Sequence, residues 1–469
     1  LGDVYKRQLS STSPEMRVQA QLNLLTLLVD NQKFSEAEEL RSQIQLNQLP
    51  PSRSSIYAQV NLAENSIKLA QNKVTNSSLS SVAEILAKAV QQAKTLNDIQ
   101  AESYALGSLG SIYELNQQFN EAENITQKAL ILAQSLNASD IAYQWQWQLG
   151  RILKKEGENK KAIAAYSTAV ETLKSLRKDL VAINPDNPDV QFSFRESVEP
   201  VYRELVDLLV SGKPQPSPEN LSQARSVIED LQLAELDNFF QEACLNAKPV
   251  QIDQLDNNAA VIYPIILPEK LAVIVALPKS NLSYYEIAKP ATEINILLDK
   301  LHQDIGRITA NNQEVLNLSQ QVYDWIIRAA ESELKNAQIE TLVFVLDGLL
   351  RNIPMAALHD GKQYLIEKYS IALTPGLQLL PPQPLKREQL RTLLAGLSLS
   401  SQNFPPLPNV ERELQEITTQ VSTSQELLNE QFTEQNLQAA LNSVPFPVLH
   451  IATHGQFSSS AEKTFILTW

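Results

Sequence analysis

The chain has 469 residues, 43% of them hydrophobic, and a formal net charge of -14 at pH 7. That length and composition suffice for about two or three domains with proper cores, while the negative balance disfavours non-specific adhesion to nucleic acid. With one cysteine and four scattered histidines, neither a disulfide framework nor a metal-ligand cluster is expected, and no cofactor is implied. No apolar run reaches the roughly 18 residues of a membrane span, and no secretory leader is recognisable, so no membrane association and a cytoplasmic setting are the expectation.

Residues 1–8 do not join the pattern that follows and are expected to be non-native or disordered sequence. From residue 9 the chain repeats. Setting Leu109-Gly110 on Leu149-Gly150 defines a period of 40 residues, which also puts Ala122 on Ala162, Ala129 on Ala169 and Leu136 on Leu176. One step earlier it puts Leu69 on Leu109, Val82 on Ala122 and Ala89 on Ala129. A further unit is suggested by Phe34-Ser35-Glu36-Ala37-Glu38, which echoes Phe119-Asn120-Glu121-Ala122-Glu123. Helix pairs repeated at a fixed period predict a solenoid, with small residues where antiparallel helices must approach closely. The spacing resembles the tetratricopeptide repeat, although the period exceeds the usual 34 residues and HEAT or armadillo packing stays open. A solenoid's concave face is a platform for protein or peptide ligands. Tyr143, Trp145 and Trp147 form its densest aromatic cluster, for which core packing is favoured over a binding hot spot.

Two Pro-rich stretches, Asn184 to Asp189 and Ser211 to Pro218, break the helical pattern. Helical spacing returns between and after them, ending at Cys244, which reads as a small buried hydrophobe rather than a nucleophile. From Ala259 the periodicity changes to short apolar runs. Val261 to Leu267 and Leu271 to Leu277 read as a hairpin. A long helical stretch over about Ile294 to Asn336 precedes the apolar strand Thr341 to Leu346, which ends in Asp347-Gly348. Strands over Ser370–Leu373 and Thr392–Leu397, helices over Val410–Val421 and Thr433–Leu441, and a strand from Val448 complete an alternation that predicts parallel strands with helices on both faces. No Gly-rich phosphate loop follows any strand, which argues against a nucleotide binder.

The last of these strands carries the most chemistry. Val448-Leu449-His450-Ile451-Ala452-Thr453-His454-Gly455 runs from an apolar segment into a His-Gly turn. It reads as a short buried strand with His454 at the carboxyl edge of the sheet, where open α/β folds place their ligands. His454 could serve as general acid or base, with the Gly455 backbone N–H at a developing oxyanion. His450, inside the strand, reads as a hydrogen-bonded structural residue. Asp347, at another strand end, is favoured as a turn residue, with contact to a basic substrate side chain as the second reading.

His450-Ile451-Ala452-Thr453-His454-Gly455, preceded by Leu407-Pro408-Asn409-Val410-Glu411-Arg412-Glu413, resembles the CHAT domain, a caspase-like and separase-like cysteine peptidase module found mostly in bacteria behind tetratricopeptide repeats. Leu346-Asp347-Gly348-Leu349-Leu350-Arg351-Asn352-Ile353-Pro354 and Tyr364-Leu365-Ile366-Glu367 fit the same family in the same order. In that family the second histidine pairs with a cysteine at the end of the next core strand, and no such cysteine occurs before Trp469. The resemblance therefore implies a multidomain chain: repeats over 9–180, a helical connector over 181–250, and an incomplete three-layer α/β caspase-like domain over 251–469. The implied activity is regulated cysteine endopeptidase, with these 469 residues inactive for want of the nucleophile. The alternative is a non-catalytic interaction scaffold with a pseudo-peptidase domain.

Overall fold

The protein is described here from a computed structural model, which covers residues 13–469 except 73–78, 184–193, 214, 241–256, 306, 308–310, 375–390, 422, 445 and 457–463. The expectation for residues 1–8, and Cys244, lie outside the described residues.

The amino-terminal region consists of antiparallel helix pairs. α1 (Pro14–Asp30) packs on α2 (Phe34–Gln43), and α3 (Arg53–Gln71) on α4 (Leu79–Thr95). They are followed by the pairs α5 (Ile99–Leu115) with α6 (Phe119–Ser135), and α7 (Ser139–Lys155) with α8 (Asn159–Ile183). The 40-residue period divides into two helix-plus-turn units. Asn97, Gln117, Asn137 and Gly157, each 20 residues after the last, sit in the left-handed region with φ of 52°, 60°, 53° and 82°. At each, the following N–H reaches back five residues: Asp98 to the Ala93 carbonyl, Gln118 to Tyr113, Ala138 to Ala133 and Glu158 to Leu153. These are Schellman caps, which stop each helix and turn the chain back on itself. Three of the four positions hold a residue that pays a steric penalty there. Gln117→Gly is accordingly expected to raise stability by about 1 kcal/mol, read as a higher unfolding midpoint in urea. A lower midpoint would contradict the left-handed assignment.

Small residues sit where the helices meet. Ala122, Ala129, Ala162 and Ala169 are fully buried, and a Cβ on Gly150 would come within 2.6 Å of the Tyr166 ring, so larger residues would push the pair apart. Tyr143 and Trp145 are core residues, as favoured from sequence. Trp147 is only partly buried, donating its Nε1–H to Glu204 at 3.0 Å with the Arg151 guanidinium 4.7 Å over its ring.

Two further helices, α9 (Glu199–Val210) and α10 (Pro218–Phe240), lead into a mixed sheet. Its strands are β1 (Ala259–Leu267), β2 (Lys270–Ala276), β3 (Ser283–Ile287), β4 (Thr341–Phe344) and β5 (Ser370–Leu373), in the order β3-β2-β1-β4-β5. The β1–β2 hairpin matches expectation, and β4 is parallel to both β1 and β5. β1 and β2 are apolar on both faces because both are covered. One core joins Tyr166, Tyr202 and Leu205 of the helices to Tyr263 and Ile274 of the sheet, and the other face packs on α11 (Ala291–Ile305) and α12 (Asn312–Ile326). The long helical stretch expected over about Ile294 to Asn336 is divided into α11, α12 and the short α13 (Glu331–Asn336). The antiparallel β3, with alternating Ser283-Tyr284-Tyr285-Glu286-Ile287 at the sheet edge, has too few apolar residues to be read as a strand from pattern alone.

Three further strands form a separate parallel sheet among the described residues. β6 (Arg391–Gly396) lies between β7 (Thr423–Leu428) and β8 (Val448–Ala452), with α14 (Val410–Gln420) and α15 (Glu434–Ser443) in the connections. Burial falls on the central strand: Leu393, Leu394 and Ala395 of β6 are fully buried. β8, expected to be buried, is an edge strand of this sheet, half-buried throughout with Leu449 exposed. Short β9 (Gly455–Gln456) and β10 (Phe465–Ile466) pair antiparallel just beyond it.

Candidate active site

β8 runs parallel to β6, with Leu394 opposite His450 and Gly396 opposite Ala452. Parallel pairing brings the carboxyl ends of both strands to the same edge, and the residues just past them meet there. After β6 the chain turns through a loop that carries Asn403-Phe404-Pro405-Pro406 over the end of β8. Its base is pinned by Leu397 N–H to the Ala452 carbonyl at 3.0 Å and by Leu407 N–H to the Ser398 carbonyl at 2.9 Å. Ser398 is tied in turn to α14 and to the loop after β7, its Oγ donating to Glu411 at 2.8 Å and its N–H to Asn429 Oδ1 at 2.8 Å.

His454 sits beneath that loop, half-buried. Its ring lies against Phe404, with centroids 5.1 Å apart, and its Nε2 is 2.8 Å from the Pro405 carbonyl oxygen. A carbonyl oxygen can only accept, so Nε2 must carry the proton. When the imidazole is neutral, the lone pair is then on Nδ1, and that nitrogen is the base the site can offer. The backbone on either side is held as well: Thr453 Oγ1 donates to the Leu467 carbonyl at 2.9 Å, and Leu467 N–H donates to the His454 carbonyl at 2.8 Å. Ring, tautomer and main chain are thus fixed by separate contacts.

Gly455 lies opposite Ile466 in the β9–β10 pair. The Leu467 to His454 bond sets the phase of that ladder, which makes Gly455 and Ile466 a non-hydrogen-bonded pair. The Gly455 N–H is therefore not taken up by β10. A Cβ at this position would stand 3.1 Å from the Phe465 carbonyl oxygen, so the strand that braces His454 would have to give by a few tenths of an ångström.

The other sequence candidates fall elsewhere. His450 Nε2 lies 2.9 Å from Glu413 Oε1 of α14 at a half-exposed position; it is satisfied by a partner, as its strand position suggested, and does not face His454's contacts. Asp347 lies past the end of β4, on the other sheet, and is 1% exposed. Its two carboxylate oxygens receive the Arg203 guanidinium of α9 bidentately at 2.8 Å each, and one also accepts the Ile266 N–H at 2.8 Å. Burial pushes the Asp347 carboxyl up, but the Arg203 charge and hydrogen bonds, with Ile266 N–H, outweigh it and hold the group below its ordinary range. Its carboxylate is spent inside the fold, leaving nothing to meet a substrate side chain.

Phe404, Pro405 and Arg203 were not among the sequence candidates. Phe404-Pro405-Pro406 does mark a rigid turn between β6 and α14, which was the available signal. A backbone carbonyl as ring partner leaves none. Among the described residues no group of three or more His, Cys, Asp or Glu side chains is placed to hold a metal ion, and no helix is long and apolar enough to cross a membrane.

Fold and site together define a helical-repeat region followed by a mixed α/β region with a strand-end histidine. Within that region, residues 316–469 match the model of the CHAT domain. The match begins inside α12, after β1 to β3, although these strands belong to the same sheet as β4. No curated protein matches the chain. Among solved structures, the chain is similar to a kinesin light chain of nearly identical TPR-like repeats from Podosopora anserina, at 17% identity over 49% of this chain and 99% of that one, TM-score 0.33. It is also similar to a STAND protein with a tetratricopeptide repeat sensor from Pyrococcus horikoshii, at 12% identity over 50% and 32%, TM-score 0.35. A Rap protein complexed with Competence and Sporulation Factor matches at 18% identity over 52% and 66%, TM-score 0.33.

Proposed function

We propose that these residues are the repeat region and the histidine half of a caspase-like or separase-like cysteine endopeptidase. The repeats over 9–180 recruit a partner or substrate, 181–250 connects, and 251–469 forms the peptidase-type domain. The observation that carries this reading is the His454 Nε2–H bond to the Pro405 carbonyl, which leaves Nδ1 as the basic nitrogen at the carboxyl edge of a parallel sheet. A second support is the edge position of β8: an added parallel strand would deliver its terminal residue beside His454.

On this reading a cysteine at the end of such a strand supplies the nucleophile. Nδ1 takes the thiol proton, the thiolate attacks the scissile carbonyl, and the carbon–sulfur bond forms as the carbonyl π pair moves onto oxygen. The Gly455 N–H donates to that oxyanion. Collapse expels the leaving amine, which takes the proton back from the imidazolium, and water then hydrolyses the acyl-enzyme. Every step needs the thiolate. The 469-residue chain is therefore expected to show no His454-dependent cleavage in a peptide-library digest, and turnover lost on His454→Ala in this chain would overturn the reading. The alternative is a scaffold with a pseudo-peptidase domain, in which the strand beside β8 ends in a residue other than cysteine. The two readings part on whether the complete protein brings a thiol to His454. A cytoplasmic setting, where thiols stay reduced, fits the peptidase reading.

A further inference from the structure

We infer that the inner wall of the repeats, formed by α3, α5 and α7, takes an extended basic segment of a protein partner, with a Lys or Arg side chain seated between Glu64 and Asp140 over Tyr104. The inference rests on the recruiting role proposed for the repeats and not on the peptidase reading.

One stripe of each helix faces this wall. On α3 it carries Tyr57 and Glu64, spaced i and i+7. On α5 it carries Tyr104 and Ser108, spaced i and i+4, so both pairs lie along one helical face. The stripes touch: the Tyr57 and Tyr104 rings meet edge to face with centroids 5.5 Å apart, and Ser108 Oγ donates to Glu64 Oε1 at 3.0 Å. Tyr104 then stands edge-on to Trp145 of α7 at 6.2 Å, and the Asp140 charge, in the first turn of α7, acts on both tyrosines. The charges of Asp140 and Glu64 thus both reach the half-buried Tyr104 and, after its burial, help push its hydroxyl up.

The charges on this wall do not cancel. Its cations are engaged by neighbours: Arg53, beside Tyr57, with Asp98 at 2.9 Å, Lys68 with Asp30 at 3.1 Å, Arg151 with Glu114 at 2.9 Å and Lys154 with Asp207 at 2.9 Å. Glu64 and Asp140, by contrast, enter no ion pair among the described residues. Glu64 is exposed to solvent. Desolvation by the neighbouring protein pushes its carboxyl above the usual range, against the Ser108 hydroxyl and the Lys68 charge. A carboxylate held in this way gains more from an incoming cation than one on a convex surface, because less water screens it. The neighbouring ring faces add attraction for the same charge. An acidic or purely apolar segment would gain neither.

The test is fluorescence anisotropy of a labelled Arg/Lys-Ala peptide and its Glu-Ala counterpart on the 469-residue protein, at fixed low salt. The basic peptide is expected to bind and the acidic one not. The double variant Glu64→Gln/Asp140→Asn is expected to weaken binding about tenfold. The charge-matched variant Glu84→Gln/Glu121→Gln, on exposed positions of α4 and α6, is expected to leave it within about twofold, which separates a site from the protein's overall negative charge. Equal losses in the two double variants, equal binding of both peptides, or no binding of the basic peptide would overturn the assignment. Pull-down through the repeats that survives Glu64→Gln/Asp140→Asn would do so as well, while leaving recruitment by the repeats standing.

Discussion

Asp347→Asn is expected to destabilise the protein by about 3–5 kcal/mol, the largest stability effect of any single polar change proposed here. The Arg203 guanidinium has a side-chain exposure of 18% and spends two donors on Asp347, with Glu199 on its Nε at 2.6 Å and the Ile266 carbonyl at 3.2 Å. An amide in place of the carboxylate leaves a cation enclosed beside a donor, and Ile266 N–H loses its charged acceptor. Because the pair ties α9 to the turn after β4, the effect should reach both the helical region and the sheet in one unfolding transition. Replacing both partners by apolar residues of similar size should cost much less than either single change, since the fully buried carboxylate and its cation leave together and the Glu199 carboxylate that remains is a quarter exposed. Chemical unfolding of the two single variants and the double variant measures the coupling directly. Additive losses would mean the pair is not a unit.

The pH dependence follows with a definite sign. The folded-state pKa of Asp347 is held below its unfolded value of roughly 3.9. Its contribution is therefore complete above the unfolded value and is lost as pH falls through the lower folded value. The wild type should lose this contribution on acidification below about pH 4, whereas Asp347→Asn should lack that part of its acid sensitivity.

In the complete protein, His454→Ala is expected to lower peptide cleavage by about 10²–10⁴-fold with the fold intact. The change removes the proton acceptor but also a ring that packs on Phe404 and holds the loop through Pro405. Phe404→Leu serves as the companion variant. It loosens the ring's seat without removing the base, so its loss should be smaller and accompanied by an altered pH profile rather than abolition. Cleavage unaffected by His454→Ala would remove the histidine from the chemistry.

Much of the fold was legible in the sequence because periodicity reports burial. The 40-residue period needs only Gly110, Gly150 and the buried alanines, and β1, β2, β4 and β6 are runs of buried apolar residues. What escaped was whatever lacks such a signature. β3 and β7 are edge strands with polar positions, and α11 to α13 share one continuous apolar spacing that hides their breaks. The burial of β8 was overestimated for a related reason: Val448 to Ala452 has the composition of an inner strand, and composition does not say whether both neighbours are in place. At the site, His454 and Gly455 could be picked out by motif. The partner that fixes the tautomer is a backbone carbonyl, which any residue possesses, so Pro405 could be found only in three dimensions. Asp347 sat at a strand end and was favoured as a turn residue, but its ion pair was not legible because its partner Arg203 is 144 residues away in sequence.

The central claim is that His454 works as the base for a thiol, and the measurement that meets it most directly does not require knowing the substrate. It is the rate of iodoacetamide alkylation against pH in the complete protein with Cys244 replaced by serine, with and without His454→Ala. The account predicts a thiol that reacts rapidly below the ordinary thiol range of about 8.5 and loses that reactivity with His454→Ala. A protein in which no thiol responds to the loss of His454 would contradict it and leave the scaffold reading in its place.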